Sequence, residues 1–373
     1  MAIAVCVSAG FSILLPVVPI LLERSGPHGI GGAGTAAIFV GAVSGEVISL
    51  WLMSWQSSKR LVVAGMLLTA AMSLVFLLPH PSAWMMLGAT GLRGTGTGLA
   101  VVVCSVLVAD LGPPERRGRS IGLFGLSLSA PSIVLPSIGV ALVTAGRTDA
   151  AAIVSAAGGL AGAWLALRLP AHKPPSTKIL VNLQVAANHP ALVAVLVSFI
   201  LVSLSFGAVL TFAPLILTSS GLGSAAVFLL VAGVARAASR WFAGLLSDLG
   251  PPTLVLSGAI LVTCVGLIAL ALRTNPLVTM IAAVAFGAGF GAAQTSAYLT
   301  MMERGGDTPR TTVSALWNMG IDVGSSLGGA VLGVAASQLG YANAFWIIPA
   351  AVAVSLPLAF WSGRLAPKIR SPV

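Results

Sequence analysis

The sequence predicts an all-α membrane protein, with twelve transmembrane helices in two pseudo-symmetric halves of six. Three observations lead there. Of 373 residues, 57% are hydrophobic and only 8% are charged, about a third of the charge a water-facing domain carries. The apolar residues form long unbroken runs, whereas a transmembrane barrel needs short alternating segments of about ten residues. The basic residues collect on alternate loops. This composition excludes a soluble enzyme, and it excludes a disordered chain, which requires low hydrophobicity.

A bilayer-spanning helix needs about 20 mostly apolar residues. Such runs occupy 3–22, 33–55, 61–78, 83–109, 119–143, 150–169, 190–217, 222–246, 253–272, 277–302, 311–336 and 342–363. The breaks between them carry turn chemistry: Ser25-Gly26-Pro27, Pro79-His80-Pro81, Gly112-Pro113-Pro114, Gly250-Pro251-Pro252 and Asn275-Pro276. The first run has no charged segment before it and no small-residue cleavage site after it, so no cleaved signal peptide is expected.

The net charge of +10 would point to nucleic acid in a soluble protein. Here it reads as a topology signal, and no nucleic-acid partner is expected. Placed on the twelve runs, fourteen of the nineteen Lys and Arg residues fall on one side, among them Lys59, Arg60, Arg116, Arg117, Arg119, Lys173, Arg304 and Arg310. Arg24, Arg147 and Arg273 fall on the other. The positive-inside rule then puts both termini in the cytoplasm. The longest cytoplasmic connection, 170–189, separates a six-helix bundle over 1–169 from a second over 190–373. Cys6, Cys104 and Cys264 lie inside apolar runs and build neither a disulfide framework nor a metal site.

The halves repeat. At a single offset of 193, Gly94, Gly96 and Gly98 match Gly287, Gly289 and Gly291, Asp110 matches Glu303, and Arg117 matches Arg310. The run starting at Pro19 matches the run starting at Pro214. Two six-helix halves in one orientation are a repeat found in transporters. The Gly-x-Gly-x-Gly runs follow no strand, so they are read as close helix packing and not as a nucleotide loop.

Local motifs resemble those of the major facilitator superfamily along the whole chain. Gly91-Leu-Arg93-Gly94-Thr-Gly96-Thr-Gly98 resembles its fourth-helix pattern. Pro114-Glu-Arg-Arg117-Gly118-Arg119 resembles its loop between helices 4 and 5, and Gly244-Leu-Leu-Ser-Asp248 its loop signature after helix 8. Leu15-Pro16-Val-Val-Pro19, with Pro136-Ser-Ile-Gly139 in span 5, resembles the bacterial drug/proton antiporter branch, although Leu135 replaces the first glycine of the latter motif. The loop at Trp51–Arg60 departs from the family by lacking its acidic residue.

The resemblance implies a monomeric secondary transporter in a bacterial inner membrane, with a small-molecule substrate, protons and the lipid bilayer as partners and no cofactor or metal. Its two halves would rock about a central cavity, with proton-coupled efflux of an amphiphilic compound as the leading activity. Uptake of a small organic anion, a non-transporting sensor or scaffold, and a membrane enzyme are the rival readings. The enzyme reading lacks any cluster of catalytic residues, because His28, His80, His172 and His189 all sit in loops or at their edges.

Four ionisable residues fall inside spans, where each is a functional candidate by default: Glu46, Arg93, Arg236 and Asp322. Measured from Trp51 and Trp241, Glu46 takes the place in span 2 that Arg236 takes in span 8. Asp322 follows Asn318 by four residues, on one helical face. In the superfamily, helices 2 and 11 pack together, so Glu46 and Asp322 would approach each other and could share a proton. With Arg93 they are the proton-coupling candidates. Arg236, Gln294, Asn318, Phe206, Phe212 and Tyr298 are candidates for the substrate cavity. The resemblance further implies that Asp110, Arg117, Arg240, Asp248, Glu303 and Arg310 form a cytoplasmic gate.

Overall fold

The computed structural model describes residues 1–111, 117–169, 184–217, 223–272, 275–306 and 308–364. It is all-helical among them. In chain order the helices are α1 (Ala2–Ser12), α2 (Val17–Ser25), α3 (Ile30–Leu52), α4 (Ser58–Leu74), α5 (Ala83–Leu111), α6 (Arg117–Thr144) and α7 (Thr148–Ala166), followed by α8 (Pro190–Ile216), α9 (Ala225–Leu249), α10 (Pro252–Leu272), α11 (Pro276–Arg304), α12 (Arg310–Ala344) and α13 (Ile347–Arg364). Eleven helical stretches are long and apolar enough to cross a membrane, and Ile347–Gly363 adds a shorter apolar helix. Most of the connection expected at 170–189 lies outside the described residues.

At the described breaks the turn chemistry works as expected, while Gly112-Pro113-Pro114 lies outside the described residues. Asn275 caps α11, its Oδ1 accepting from the Val278 N–H at 3.0 Å, and Pro276 takes the first helical position, where a missing N–H is harmless. Pro190 and Pro252 likewise stand at the starts of α8 and α10. Two spans differ from expectation. The first is broken: residues 13–16 form turns between α1 and α2, where Pro16 supplies no N–H to continue the ladder. The eleventh runs past 336 to Gly340, whose φ of 73° takes the left-handed geometry that ends helices at glycine.

Each half packs around glycine contacts. In the first, α5 lies against α3 and α4. A Cβ on Gly94 or Gly98 would collide with the backbone of Ile38 or Ala42 on α3, and one on Gly96 would collide with Gly65 and Thr69 on α4. In the second, Gly287 and Gly291 of α11 press on Ala232 and Arg236 of α9, and Gly289 presses on Thr263 of α10. The repeat is therefore visible as matched contacts. Those contacts also correct the register. Ile38, Ala42 and Thr69 correspond to Ala232, Arg236 and Thr263, each 194 residues on. Glu46 thus corresponds to Arg240, one turn beyond Arg236. Trp51 and Trp241 are a poor guide to register because both are exposed, where packing does not fix it.

The halves meet along two seams, α3 with α12 and α6 with α9. In the first, Gly29 and Gly32 abut Gly333 and Gly329, and the Ser326 hydroxyl donates to the Ala36 carbonyl at 3.3 Å. Nearby, the Thr35 and Thr211 hydroxyls are 2.5 Å apart. In the second, Gly233 abuts Ile133 and the Ser137 hydroxyl donates to the Ala226 carbonyl at 2.7 Å.

Candidate functional site

The first seam is closed at the end away from Lys59, Arg60, Arg304 and Arg310, the basic face. Its last hydrogen bond joins Ala36 and Ser326. From there α3 continues sixteen residues to Leu52 and α12 runs sixteen back to Arg310, about 24 Å in each case at 1.5 Å per residue. The second seam reaches deeper, ending where Arg240 Nη1 donates to Ser129 Oγ at 3.2 Å. Beyond these points the described residues make no hydrogen bond or glycine contact between the halves. The region between these two seams, toward the basic face, is termed the wedge.

Both interior carboxylates lie at the edge of this wedge. Asp322 is one turn below Ser326, toward the basic face, and Glu46 is ten residues below Ala36. Their axial offset is about 9 Å, so the expected approach is a neighbourhood and not a contact. Glu46 is only 6% exposed, while Asp322 is half-buried and Asn318 exposed. The Asn318 amide is engaged locally, donating to the Ser314 carbonyl at 3.1 Å.

Arg236 and Arg240 lie on the other edge. Arg236 Nη2 donates to Ser132 Oγ at 3.0 Å, and its guanidinium sits 5.0 Å above the Phe206 ring. Phe206 stacks on Phe290 at 5.1 Å. Arg240, a candidate for the gate at the basic face, bonds Ser129 across the α6–α9 seam. Below Phe290 on the same face of α11 come Gln294 and Tyr298. Gln294 is 5% exposed with an unpartnered Oε1. Tyr298 packs edge-on to Trp317 at 5.4 Å, and its hydroxyl lies 3.0 Å from that of Ser314. Trp317 and Phe199 stack at 5.8 Å, an aromatic pair the sequence reading missed. Phe212 is elsewhere: it is fully buried and packs 5.4 Å from Tyr341 at the closed end.

Arg93 meets neither carboxylate. It is 1% exposed inside the first half, where Nε donates to Ser73 Oγ at 3.0 Å and Nη2 to the Gly10 carbonyl at 2.9 Å and Ser155 Oγ at 3.3 Å. One side chain thereby ties α1, α4 and α7 to α5. Pro136 and Gly139 are buried in α6, and Gly139 lets that helix close onto the Ile13 backbone. Asp248, Glu303 and Arg310 border a pocket of about 360 Å³ at the basic face. No ion pair joins them among the described residues. The side chains of Asp110 and Arg117 lie outside the described residues. A polar cluster not anticipated from sequence closes the opposite face. Glu23 accepts from the Gly29 and Gly31 N–H groups at 3.2 and 2.8 Å, and the His28 ring lies 4.4 Å from that of Tyr341 across the halves.

Two repeated six-helix bundles that meet along paired seams define a class of membrane protein built for alternating access. The chain belongs to the Major Facilitator Superfamily, whose family model matches residues 1–329. No match was found among curated proteins. Among solved structures the chain resembles an auto-inhibited peptide transporter of the POT family at 14% identity and a TM-score of 0.77, covering 100% of this chain and 96% of that one. It also resembles a bacterial homologue of the human lysosomal transporter Spinster in an inward-facing, unoccupied conformation, at 16% identity and a TM-score of 0.74, with 100% and 98% covered. The nucleoside transporter NupG matches at 13% identity and a TM-score of 0.72, with 98% and 96% covered. Family and fold support secondary transport by a multi-pass membrane protein.

Proposed function

We propose that this protein is a proton-coupled exporter of a small amphiphilic compound, acting as a monomer in a bacterial inner membrane with its basic face and both termini in the cytoplasm. The observation that carries this reading is the position of Glu46 and Asp322 below the last contact of the α3–α12 seam. When the wedge closes, that stretch of seam must come together. Two carboxylates cannot be enclosed there cheaply while both are charged. A proton bound between them relieves the repulsion, so proton occupancy selects which face is closed. Each charge moved through 100 mV contributes about 2.3 kcal/mol, enough to bias the cycle.

In this reading Arg93 acts as a clamp that keeps the first half rigid while it rocks. Arg236, Gln294, Asn318, Phe206 and Tyr298 border the substrate. Asp110, Arg117, Asp248, Glu303 and Arg310 form contacts at the basic face when the wedge shuts. The rival reading, uptake of an organic anion, is favoured by the position of Arg236 and Arg240.

The test is transport in proteoliposomes under an imposed pH gradient, using a panel of fluorescent amphiphilic amines, of carboxylates and of zwitterions that carry both groups. Glu46→Gln or Asp322→Asn should abolish gradient-driven movement while the folded yield is kept. Full activity in both variants overturns the coupling. A wild type that moves no compound overturns the transport reading, and accumulation of carboxylates alone reverses its direction.

A further inference from the structure

The interior charges are sorted by seam. Glu46 and Asp322 stand on the α3–α12 edge of the wedge, and Arg236 and Arg240 stand on the α6–α9 edge. The register given by the glycine contacts makes this a reversal of sign at equivalent places, since Glu46 of α3 corresponds to Arg240 of α9. No ion pair joins the two sets among the described residues. Each arginine instead makes neutral bonds to one serine. Arg236 Nε and Nη1 form no hydrogen bond among the described residues, and neither is among the sealed, unpartnered atoms of the structure, unlike Nη1 of Arg93.

Such charges are costly within a membrane unless something compensates them. A proton can neutralise either carboxylate. No proton can neutralise an arginine, which stays charged under all conditions that leave the protein folded. While the wedge is open, water can solvate the free guanidinium donors. When it closes and water leaves, they need an anion. A purely cationic cargo would leave both arginines uncompensated in the closed state, and a purely anionic one would leave the acids dependent on protons. The wall between the edges is aromatic, with Phe206 half-buried beneath the Arg236 guanidinium and stacked on Phe290.

We propose that the wedge takes a dipolar substrate: a small molecule with a cationic group for the Glu46–Asp322 edge, an anionic group for the Arg236–Arg240 edge, and an aromatic body lying against Phe206. Such a molecule compensates both edges at once while carrying no net charge across the bilayer. This proposal rests on the transport reading and names its substrate class.

The probes are 4-(aminoalkyl)benzoates with one to six methylenes, each compared with its methyl ester, which keeps only the cation, and its N-acetyl derivative, which keeps only the anion. Binding to the purified full chain is measured by calorimetry. At the best chain length the zwitterion should bind at least tenfold more tightly than either relative. Arg236→Gln should reduce its affinity to that of the ester, and Asp322→Asn to that of the N-acetyl compound. Arg236→Lys should recover part of the loss, which a merely structural role for Arg236 would not produce. An ester that binds the wild type as tightly as the zwitterion overturns the proposal. So does an equal loss for all three compounds in Arg236→Gln, or a series in which nothing binds. Gradient-driven movement of the ester without the zwitterion sinks this inference and leaves the transport reading standing.

Discussion

Replacing Arg93 should disturb the fold less than replacing the serine beneath it. Arg93→Met removes three bonds, at 3.0, 2.9 and 3.3 Å. Side-chain bonds between membrane helices average about 0.6 kcal/mol each, so their sum is about 2 kcal/mol. Against this, the variant relieves a cation that is 1% exposed and has no carboxylate partner among the described residues, a burden of several kcal/mol in its own right. Nor does it orphan its neighbours. Ser73 can still donate to the Thr69 carbonyl at 2.7 Å and Ser155 to that of Gly10 at 2.5 Å. By difference of these terms any loss should stay below about 1 kcal/mol, and the variant gains stability where the relief exceeds the lost bonds. Ser73→Ala does the opposite. It strands Nε on a buried cation whose Nη1 already lacks a partner, which costs about 2–3 kcal/mol. In the double variant that penalty should vanish, giving a coupling energy of about 2 kcal/mol. Unfolding in mixed micelles, followed by circular dichroism, measures all four corners of the cycle. A loss above about 2 kcal/mol for Arg93→Met, or simple additivity of the pair, would refute the reasoning.

Three further outcomes follow from the packing. Gly98→Ala and Gly291→Ala each drive a Cβ into the backbone of the neighbouring helix and should cost about 1–3 kcal/mol; Gly88→Ala, with nothing within 4 Å, should leave the melting temperature unchanged or raised. A Thr35→Cys, Thr211→Cys pair should oxidise to a disulfide, detectable by peptide mass analysis, because the native hydroxyls are 2.5 Å apart across the halves; the cross-link should halt transport until a reductant is added. Glu23→Gln weakens the acceptor for the first N–H groups of α3 and should lower stability by about 1 kcal/mol, read as a lower denaturation midpoint.

What could be read from sequence depended on whether a single helix or a meeting of helices decided the matter. Helix number, the proline and asparagine starts of α8, α10 and α11, and the glycine repeat are properties of one segment each, and composition or turn chemistry suffices for them. The break at Pro16 was also within reach, since a proline deep in an apolar run removes a helical hydrogen bond. The partners of Arg93 were not. Ser73, Ser155 and the Gly10 carbonyl come from three other helices at separations of 20, 62 and 83 residues, and no local pattern marks them. The same holds for Trp317, which gains its place only because Phe199 of α8 and Tyr298 of α11 converge on it. Phe212 and Phe206 look alike in sequence, six residues apart on α8, yet one is fully buried beside Tyr341 at the closed end and the other is half-buried under Arg236 at the wedge.

The one-turn correction in register changes what the interior charges mean. Paired with Arg236, Glu46 would be half of an opposed couple, and Arg240 would belong with the charges at the basic face. With the contacts of Gly98 and Gly291 as the guide, Glu46 and Arg240 are equivalent, and Arg236 takes the place of Ala42. The duplicated scaffold therefore keeps matched glycine contacts in both halves while carrying acids along one seam and arginines along the other. Close glycine packing makes this possible, because it fixes the helices through backbone contacts that do not depend on the side chains facing the wedge. The seams can then differ in charge while the packing contacts of the halves stay matched, which is the arrangement the proposed dipolar substrate requires.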